Sequence, residues 1–181
     1  FLAGRILGSP TVIDGRRVLE LGCGNGLCSL LALRVGAVHV LATDVRPLAL
    51  RLLRHSVNEF DPARATRLCT EVFDFATPMP SSLTMCLRNF QKLVCPTLHF
   101  LPSHDVLIAA DVGYTKALAW RLGERCRETL ALGGRILIAD SQKMPECRRA
   151  LLAAINSGNN RERYTFVREP LVTSEASSSK V

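Results

Sequence analysis

The sequence RVLELGCGNGL, Arg17–Leu27, joins an apolar run to the start of a helix through glycines at positions 22, 24 and 26. Glycines let the backbone turn sharply and approach a ligand that a Cβ would exclude. The helix that begins near Gly26 presents free N–H groups and the positive end of its dipole to such a ligand. Asp44 lies about 20 residues beyond the turn, where a carboxylate can accept hydrogen bonds from ribose hydroxyls. This stretch therefore predicts a binding site for a nucleoside-containing cofactor.

The spacing of the glycines separates two kinds of cofactor. A dinucleotide site would carry Gly-x-Gly-x-x-Gly, whereas this chain has Gly22-x-Gly24-x-Gly26 followed by Leu27. Glu20 stands on the strand just before the loop, where its charge repels a pyrophosphate and attracts the ammonium of a methionyl group. The pattern Glu-x-Gly-x-Gly-x-Gly resembles motif I of the class I (seven-strand) S-adenosylmethionine-dependent methyltransferases. A nicotinamide or flavin site and a purely structural glycine turn are the alternatives.

Helical and strand-like segments alternate along the chain, which predicts an α/β fold with a mostly parallel central sheet flanked by helices. The predicted strands are Val18–Leu21, Val38–Ala42, Leu68–Phe73, Asp105–Ala110, Arg135–Ala139 and Tyr164–Val167. The predicted helices are Leu27–Arg34, Pro47–Glu59, Thr115–Ala131 and Pro145–Ile155. The resemblance to class I methyltransferases implies that the sheet is Rossmann-like.

The chain is predicted to form one methyltransferase domain over residues 1–172. Residues 78–103 form a long connection between two predicted strands and are too apolar for a disordered linker, so we interpret them as an insertion. Residues 173–181 are polar and of low complexity, which predicts a disordered tail. The chain begins with Phe1 instead of Met and is interpreted as part of a longer protein.

A second motif, Asp111-Val-Gly-Tyr114, follows the apolar run that ends at Ala110. At the carboxyl end of a central strand, this acid and this aromatic ring lie where open α/β sheets bind their ligands. The pattern Asp-x-x-Tyr at this point resembles methyltransferase family 16, many of whose members are protein-lysine methyltransferases. The resemblance covers residues 1–155 and implies catalytic roles for Asp111 and Tyr114. The alternative is that Asp111 caps the following helix and that Tyr114 only packs.

The resemblance also implies which residues hold the cofactor. Glu20 and the loop backbone would hold the methionyl end, Asp44 the ribose hydroxyls and Asp74 the adenine amino group. Val45 would pack on the adenine ring, and Phe75 takes the place of the tryptophan that usually follows the adenine-side acid. The full predicted cofactor-binding set is Glu20, Gly22, Cys23, Gly24, Gly26, Asp44, Val45, Asp74, Phe75 and Ala110.

Composition restricts the other classes of function. The formal net charge is +7, but the basic residues are scattered and few aromatic residues accompany them, so a solvated basic surface is favoured over a nucleic-acid site. The seven cysteines include no Cys-x-x-Cys pair, which indicates reduced thiols and neither a disulfide framework nor a metal site. No apolar run is long enough for a membrane span. The chain is predicted to be a cytoplasmic monomer, with the nucleus or the mitochondrion as alternative locations.

The leading hypothesis is an enzyme that methylates a lysine side chain of a protein substrate and converts S-adenosylmethionine to S-adenosylhomocysteine. A small-molecule N- or O-methyltransferase is the second hypothesis; it would need a more enclosed pocket, which residues 78–103 could cover. The third is a cofactor-binding interaction module without catalytic activity. Nucleic-acid methylation is disfavoured because no Asn/Asp-Pro-Pro-Tyr motif follows the strand that ends at Ala110.

Overall fold

The computed structural model describes residues 2–77, 103–140 and 144–157, and within them the chain forms one five-stranded sheet. The strands are β1 (Arg17–Leu21), β2 (His39–Asp44), β3 (Leu68–Val72), β4 (Val106–Ala110) and β5 (Arg135–Ala139). Their order in the sheet is β3-β2-β1-β4-β5, and every neighbouring pair is parallel. The predicted α/β fold with a parallel central sheet is therefore confirmed.

Helices cover both faces of this sheet. The helices are α1 (Leu2–Gly8), α2 (Leu27–Arg34), α3 (Pro47–Phe60), α4 (Lys116–Ala131) and α5 (Pro145–Asn156). Two short 3-10 helices, Pro10–Val12 and Pro62–Arg67, precede β1 and β3. On β1, Val18 packs in a buried cluster with α1, α2 and α3, whereas its neighbour Leu19 packs with α4 and α5. Because successive side chains of a strand point to opposite faces, the two clusters lie on the two sides of the sheet.

The predicted elements agree with the observed ones to within two residues at each end. Strand β2 runs further than predicted, because Asp44 still pairs with Val72 of β3. Helix α1 and the two 3-10 helices were not predicted. The predicted insertion at 78–103 (apart from residue 103), the predicted strand Tyr164–Val167 and the predicted tail at 173–181 lie outside the described residues.

An ion pair joins the amino ends of β1 and β4. Arg17 Nη2 lies 2.8 Å from Asp105 Oδ1, and Arg17 Nε donates to Asp105 Oδ2 at 3.1 Å. The Arg17 backbone N–H also donates to Asp105 Oδ2, at 2.8 Å. These hydrogen bonds from Arg17 hold the pKa of the Asp105 carboxyl below its usual range. The pair fixes β4 against β1 at the edge of the sheet opposite the glycine turn.

None of the helices in residues 2–77, 103–140 and 144–157 is both long enough and apolar enough to cross a membrane. The same ranges contain no group of three His, Cys, Asp or Glu side chains placed to hold a metal ion. The described cysteines carry free thiols, most of them buried: Cys23, Cys28, Cys126 and Cys147.

Candidate active site

The turn between β1 and α2 lies where the strand order of the sheet reverses. From β1 the chain proceeds to β2 and β3 on one side, and it later fills the other side with β4 and β5. In open parallel sheets the ligand crevice forms at the carboxyl ends of the strands at such a point. Three segments meet here: the glycine loop (residues 22–26), the end of β2 and the residues after β4.

The glycine loop has the backbone conformation that the sequence pattern predicts. Gly22, Gly24 and Gly26 have φ angles of 70°, 53° and 79°, in the left-handed region that side chains disfavour. A Cβ at Gly22 would lie 2.4 Å from Val112 Cγ1, and one at Gly26 would lie 2.4 Å from Leu53 Cδ1. A Cβ at Gly24 would meet nothing within 4 Å. Gly22 and Gly26 therefore allow close packing, whereas Gly24 faces open space where a ligand can approach the backbone.

Asp44 is bonded directly to this loop. Its carboxylate is 8% exposed; Oδ2 accepts the Gly24 N–H at 2.9 Å, and Oδ1 accepts the Arg46 N–H at 2.8 Å. A carboxylate oxygen has two lone pairs, so each oxygen keeps one for a further donor. The arrangement suits a ligand that carries two neighbouring hydroxyl groups and approaches the open side of the loop.

Glu20 lies beneath the loop and not on its open side. It is 2% exposed, and its Oε2 accepts a hydrogen bond from Ser29 Oγ on α2. Burial raises the pKa of Glu20 to about 7, and the negative charge of Asp44 adds to the rise. Its predicted contact with the methionyl ammonium stays a prediction; from this position Glu20 would act on a cation through its charge.

Cys23, inside the glycine loop, is not a nucleophile in this structure. Its side chain is 5% exposed, and its backbone N–H donates to the Thr43 carbonyl at 2.8 Å. Burial raises the pKa of the Cys23 thiol to about 12. The thiol is therefore protonated at neutral pH, and the residue contributes to the loop through its backbone.

The residues predicted to hold the adenine lie in different environments. Val45 is 55% exposed directly after β2, so it can cover a flat ring. Asp74 is exposed after β3, and its Oδ1 accepts the Ala76 N–H at 2.9 Å. Phe75 is buried in the cluster below the sheet edge, and Ala110 is half-buried at the end of β4. The cofactor roles of these four residues stay predictions.

The Asp-x-x-Tyr segment projects from the carboxyl end of β4. Asp111 has a φ of 55°, the only positive φ of a non-glycine residue among residues 2–77, 103–140 and 144–157. Such a conformation costs an L-residue on the order of 1 kcal/mol and is concentrated at functional sites. Tyr114 is 55% exposed, and the cap of α4 is Thr115, whose Oγ1 accepts the Leu118 N–H at 3.2 Å. Asp111 is therefore not the cap of α4, and the catalytic roles of Asp111 and Tyr114 stay predictions.

Two residues of this region were missed by the sequence analysis, Ser29 and Val112. Ser29 is fully buried and bonds the Glu20 carboxyl, and Val112 packs against Gly22. A signal for Ser29 existed, because a polar residue on the buried side of α2 must find a partner on the strand that it covers. For Val112, the only signal in the sequence was its position between Asp111 and Tyr114.

The residues at this loop fit S-adenosylmethionine better than a dinucleotide. Two acids, Glu20 and Asp44, lie within or beside the loop, and residues 22–26 contain no basic side chain that would neutralise a pyrophosphate. S-adenosylmethionine has no phosphate and carries two positive charges, on the sulfonium and the ammonium. The open space before Gly24 and the remaining lone pairs of Asp44 accommodate a nucleoside.

Segments of this chain are similar to known methyltransferases. Residues 9–73 match the model of the family Ribosomal protein L11 methyltransferase (PrmA). The electron transfer flavoprotein beta subunit lysine methyltransferase of Danio rerio is 31% identical over 144 residues, which cover 77% of this chain and 45% of that protein. The ribosomal protein L11 methyltransferase of Ectopseudomonas mendocina (strain ymp) is 44% identical over 54 residues, 29% of this chain and 18% of that protein. The chain thus spans less than half the length of these two curated relatives.

Solved structures confirm the fold at low sequence identity. The CcbJ methyltransferase from Streptomyces caelestis has a TM-score of 0.53 at 18% identity, over 76% of this chain and 47% of that chain. The N-terminal domain of EvdMO1, crystallised with S-adenosylhomocysteine bound, has a TM-score of 0.50 at 18% identity, over 76% of this chain and 48% of that chain. The chain therefore has the fold of the class I S-adenosylmethionine-dependent methyltransferases.

Proposed function

We propose that this chain is the catalytic domain of an enzyme that methylates a lysine side chain of a protein. The observation that carries the proposal is the position of the Asp111–Tyr114 segment, which leaves β4 beside the glycine loop and touches Gly22 through Val112. The Danio rerio relative, which bears the name of a lysine methyltransferase, supports it at 31% identity. The chain spans 45% of that relative, so the activity, the protein substrate and the residue roles below all belong to the proposal.

The proposal divides cofactor binding and catalysis between two segments, the glycine loop with Asp44 and the segment after β4. Bound S-adenosylmethionine supplies a methyl group activated by its sulfonium sulfur. In this proposal the backbone at Gly24 and the Asp44 carboxylate would hold the nucleoside, and Asp111 and Tyr114 would face the acceptor. Holding the reacting atoms in line is worth up to about 7–11 kcal/mol of the barrier in ideal cases.

The acceptor nitrogen must be neutral when it reacts. A free lysine has a pKa of about 10.4, and enclosure in an apolar channel lowers that pKa because burial disfavours the charged form. Asp111 would accept a hydrogen bond from the amine and so direct its lone pair, and the exposed Tyr114 ring would form one wall of the channel. The lone pair forms the N–C bond as the S–C bond breaks, and the product nitrogen releases its proton to solvent.

The test is methyl transfer by the full-length protein with tritiated S-adenosylmethionine and a cell extract, followed by hydrolysis and identification of methyl-lysine. We expect labelled protein with the wild type and a loss of about 10²-fold with Asp111→Asn. The matched control, Asp61→Asn, removes a partly buried acid that directly follows α3 and pairs with Arg64, and it should keep full activity. S-adenosylhomocysteine affinity should be unchanged in both variants.

Four outcomes contradict the proposal, the last of them only the role of Asp111. Label that appears only in the small-molecule fraction indicates a small-molecule methyltransferase. Label in protein on a residue other than lysine refutes the substrate side chain. If the wild type binds S-adenosylhomocysteine but yields no labelled product, the chain is an interaction module without catalysis. Labelling that is equally strong with Asp111→Asn removes Asp111 from the reaction.

A further inference from the structure

Helix α3 exposes leucines on the face that points away from the sheet. Its inner face is conventional, since Leu50, Leu53 and Val57 are 3%, 0% and 0% exposed. On the outer face, Leu48 and Leu52 are 62% and 52% exposed, and they lie one turn apart. Single exposed leucines are ordinary, but neighbouring ones form an apolar strip that water solvates poorly.

Basic side chains border this strip. A groove on the outer face of α3, which we call the outer α3 surface, is lined by Leu48, Arg51, Leu52, Arg54, His55 and Asn58. No acidic residue is among the residues that line it. Neither Arg51 nor Arg54 takes part in any of the ion pairs found between described residues. The surface therefore combines an apolar strip with uncompensated positive charge.

We propose that the outer α3 surface docks an acidic, amphipathic segment of a partner protein. Leucines or similar side chains of the partner would pack on Leu48 and Leu52, and its carboxylates would pair with Arg51 and Arg54. Charge complementarity selects this occupant, because Arg favours carboxylate pairing at interfaces. The proposal goes beyond methyl transfer, since it concerns a surface that holds no reacting group.

Other occupants fit the surface less well. Single-stranded nucleic acid is held by aromatic stacking as well as by charge, and no Phe, Tyr or Trp lines the groove. A second copy of the chain would bring the same arginines against one another in a twofold contact. An anionic membrane attracts basic helices with a broad apolar face, whereas the broad apolar face of α3 is packed on the sheet.

Helix α3, which carries the outer α3 surface, also contacts the glycine loop and the residue bonded to it. The Arg46 N–H, at the start of α3, donates to Asp44 Oδ1 at 2.8 Å. On the inner face, Leu53 occupies the space beside Gly26 that a Cβ would need. A partner docked on α3 is thus one layer away from the backbone that holds the cofactor.

The experiment uses a fluorescent helical peptide of about four turns, with leucines one turn apart and glutamates on either side. Its anisotropy is followed during titration with the full-length protein. We expect saturable binding that weakens with salt and falls about tenfold or more in Arg51→Glu/Arg54→Glu and in Leu48→Ser/Leu52→Ser. The matched control, Arg149→Glu, changes an exposed arginine on α5 and should leave the affinity unchanged. Unchanged S-adenosylhomocysteine affinity shows that each variant is folded.

Peptide controls and alternative ligands decide the remaining outcomes. A peptide with its leucines replaced by serine, and one with its glutamates replaced by lysine, should bind at least about tenfold more weakly. Equal binding of all three peptides, or of wild type and both variants, overturns the proposal. The proposal is also overturned if the wild type binds no peptide but binds an RNA oligonucleotide or anionic vesicles, and the Arg51→Glu/Arg54→Glu variant loses that binding. A dimer in sedimentation that the Leu variant loses would assign the surface to a second copy instead. None of these results depends on methyl transfer.

Discussion

Val112 fills the space beside Gly22, where a Cβ built on the glycine would lie 2.4 Å from Val112 Cγ1 and 3.5 Å from Val112 Cβ. Gly22 opens the cofactor loop, and Val112 stands between Asp111 and the rest of the segment that leaves β4. Packed contacts of this kind transmit displacement, because protein interiors have low compressibility. The contact therefore sets the position of the proposed catalytic segment relative to the cofactor backbone.

We expect Gly22→Ala to lower the free energy of unfolding and to abolish S-adenosylhomocysteine binding. A φ of +70° in an L-residue costs about 1–2 kcal/mol, and the added methyl overlaps Val112. Adding Val112→Ala should restore part of the stability, because it removes the overlap but not the backbone strain. Urea unfolding of the two single variants and the double variant measures this coupling. If the loss of stability in the double variant equals the sum of the losses in the two single variants, the added methyl and Val112 do not interact.

Gly24→Ala should behave in the opposite way, with a small loss of stability and a large loss of cofactor affinity. The new Cβ meets no atom within 4 Å, so only the backbone strain at φ 53° opposes folding, at about 1 kcal/mol. The methyl would, however, occupy the open space before the loop. Calorimetric titration with S-adenosylhomocysteine measures the affinity, and thermal unfolding measures the stability. Gly4→Ala, at an exposed glycine of α1 with the same open surroundings, is the control and should leave the affinity unchanged. Unchanged affinity in Gly24→Ala would show that the cofactor does not approach there.

Most of the fold could be predicted because its signals are local. Helix α2 and strand β5 have the predicted bounds, since Gly26 and Gly36 flank the apolar run of α2 and Gly134 directly precedes that of β5. Helix α1 could not be predicted, because its seven residues bury only Leu2 and Ile6 and show too little periodicity. Strand β2 ends later than predicted because its last pairing, Asp44 with Val72, depends on a neighbouring strand.

The sequence indicated which segments come together at this end of the sheet but not the contacts between them. The turn, Asp44 and the Asp111 segment follow from spacing along the chain. The burial of Glu20 against Ser29 depends on which face of β1 the helix α2 covers, and sequence spacing does not report that. The contact of Val112 with Gly22 joins residues 90 positions apart in the sequence, and only the pairing of β1 with β4 brings them together.

Asp105→Asn should destabilise the fold without changing the cofactor affinity. The substitution removes a charge that accepts three hydrogen bonds from Arg17 at the amino edge of the sheet, away from the glycine loop. Losing hydrogen bonds to a charged group costs about 1.5–3 kcal/mol. Asp61→Asn, which breaks a pair between residues three positions apart that involves a single guanidinium nitrogen of Arg64, is the control and should cost about 0–1 kcal/mol. Equal losses in the two variants, measured by urea unfolding at pH 7, would contradict the structural role of Arg17 and Asp105.

Glu20→Gln should flatten the pH dependence of stability on the acidic side of neutrality. Burial raises the pKa of Glu20 to about 7 from an ordinary value of 4.5. Between these two values the folded protein holds a proton that the unfolded chain has lost, so the free energy of unfolding falls as the pH rises. The full change is on the order of 3 kcal/mol. The neutral amide has no proton to lose and can still bond Ser29 Oγ, so the variant should be more stable than the wild type above pH 7. Asp74→Asn, at an exposed acid, is the control and should keep the wild-type slope. Parallel profiles for Glu20→Gln and the wild type would place the Glu20 carboxyl in contact with water.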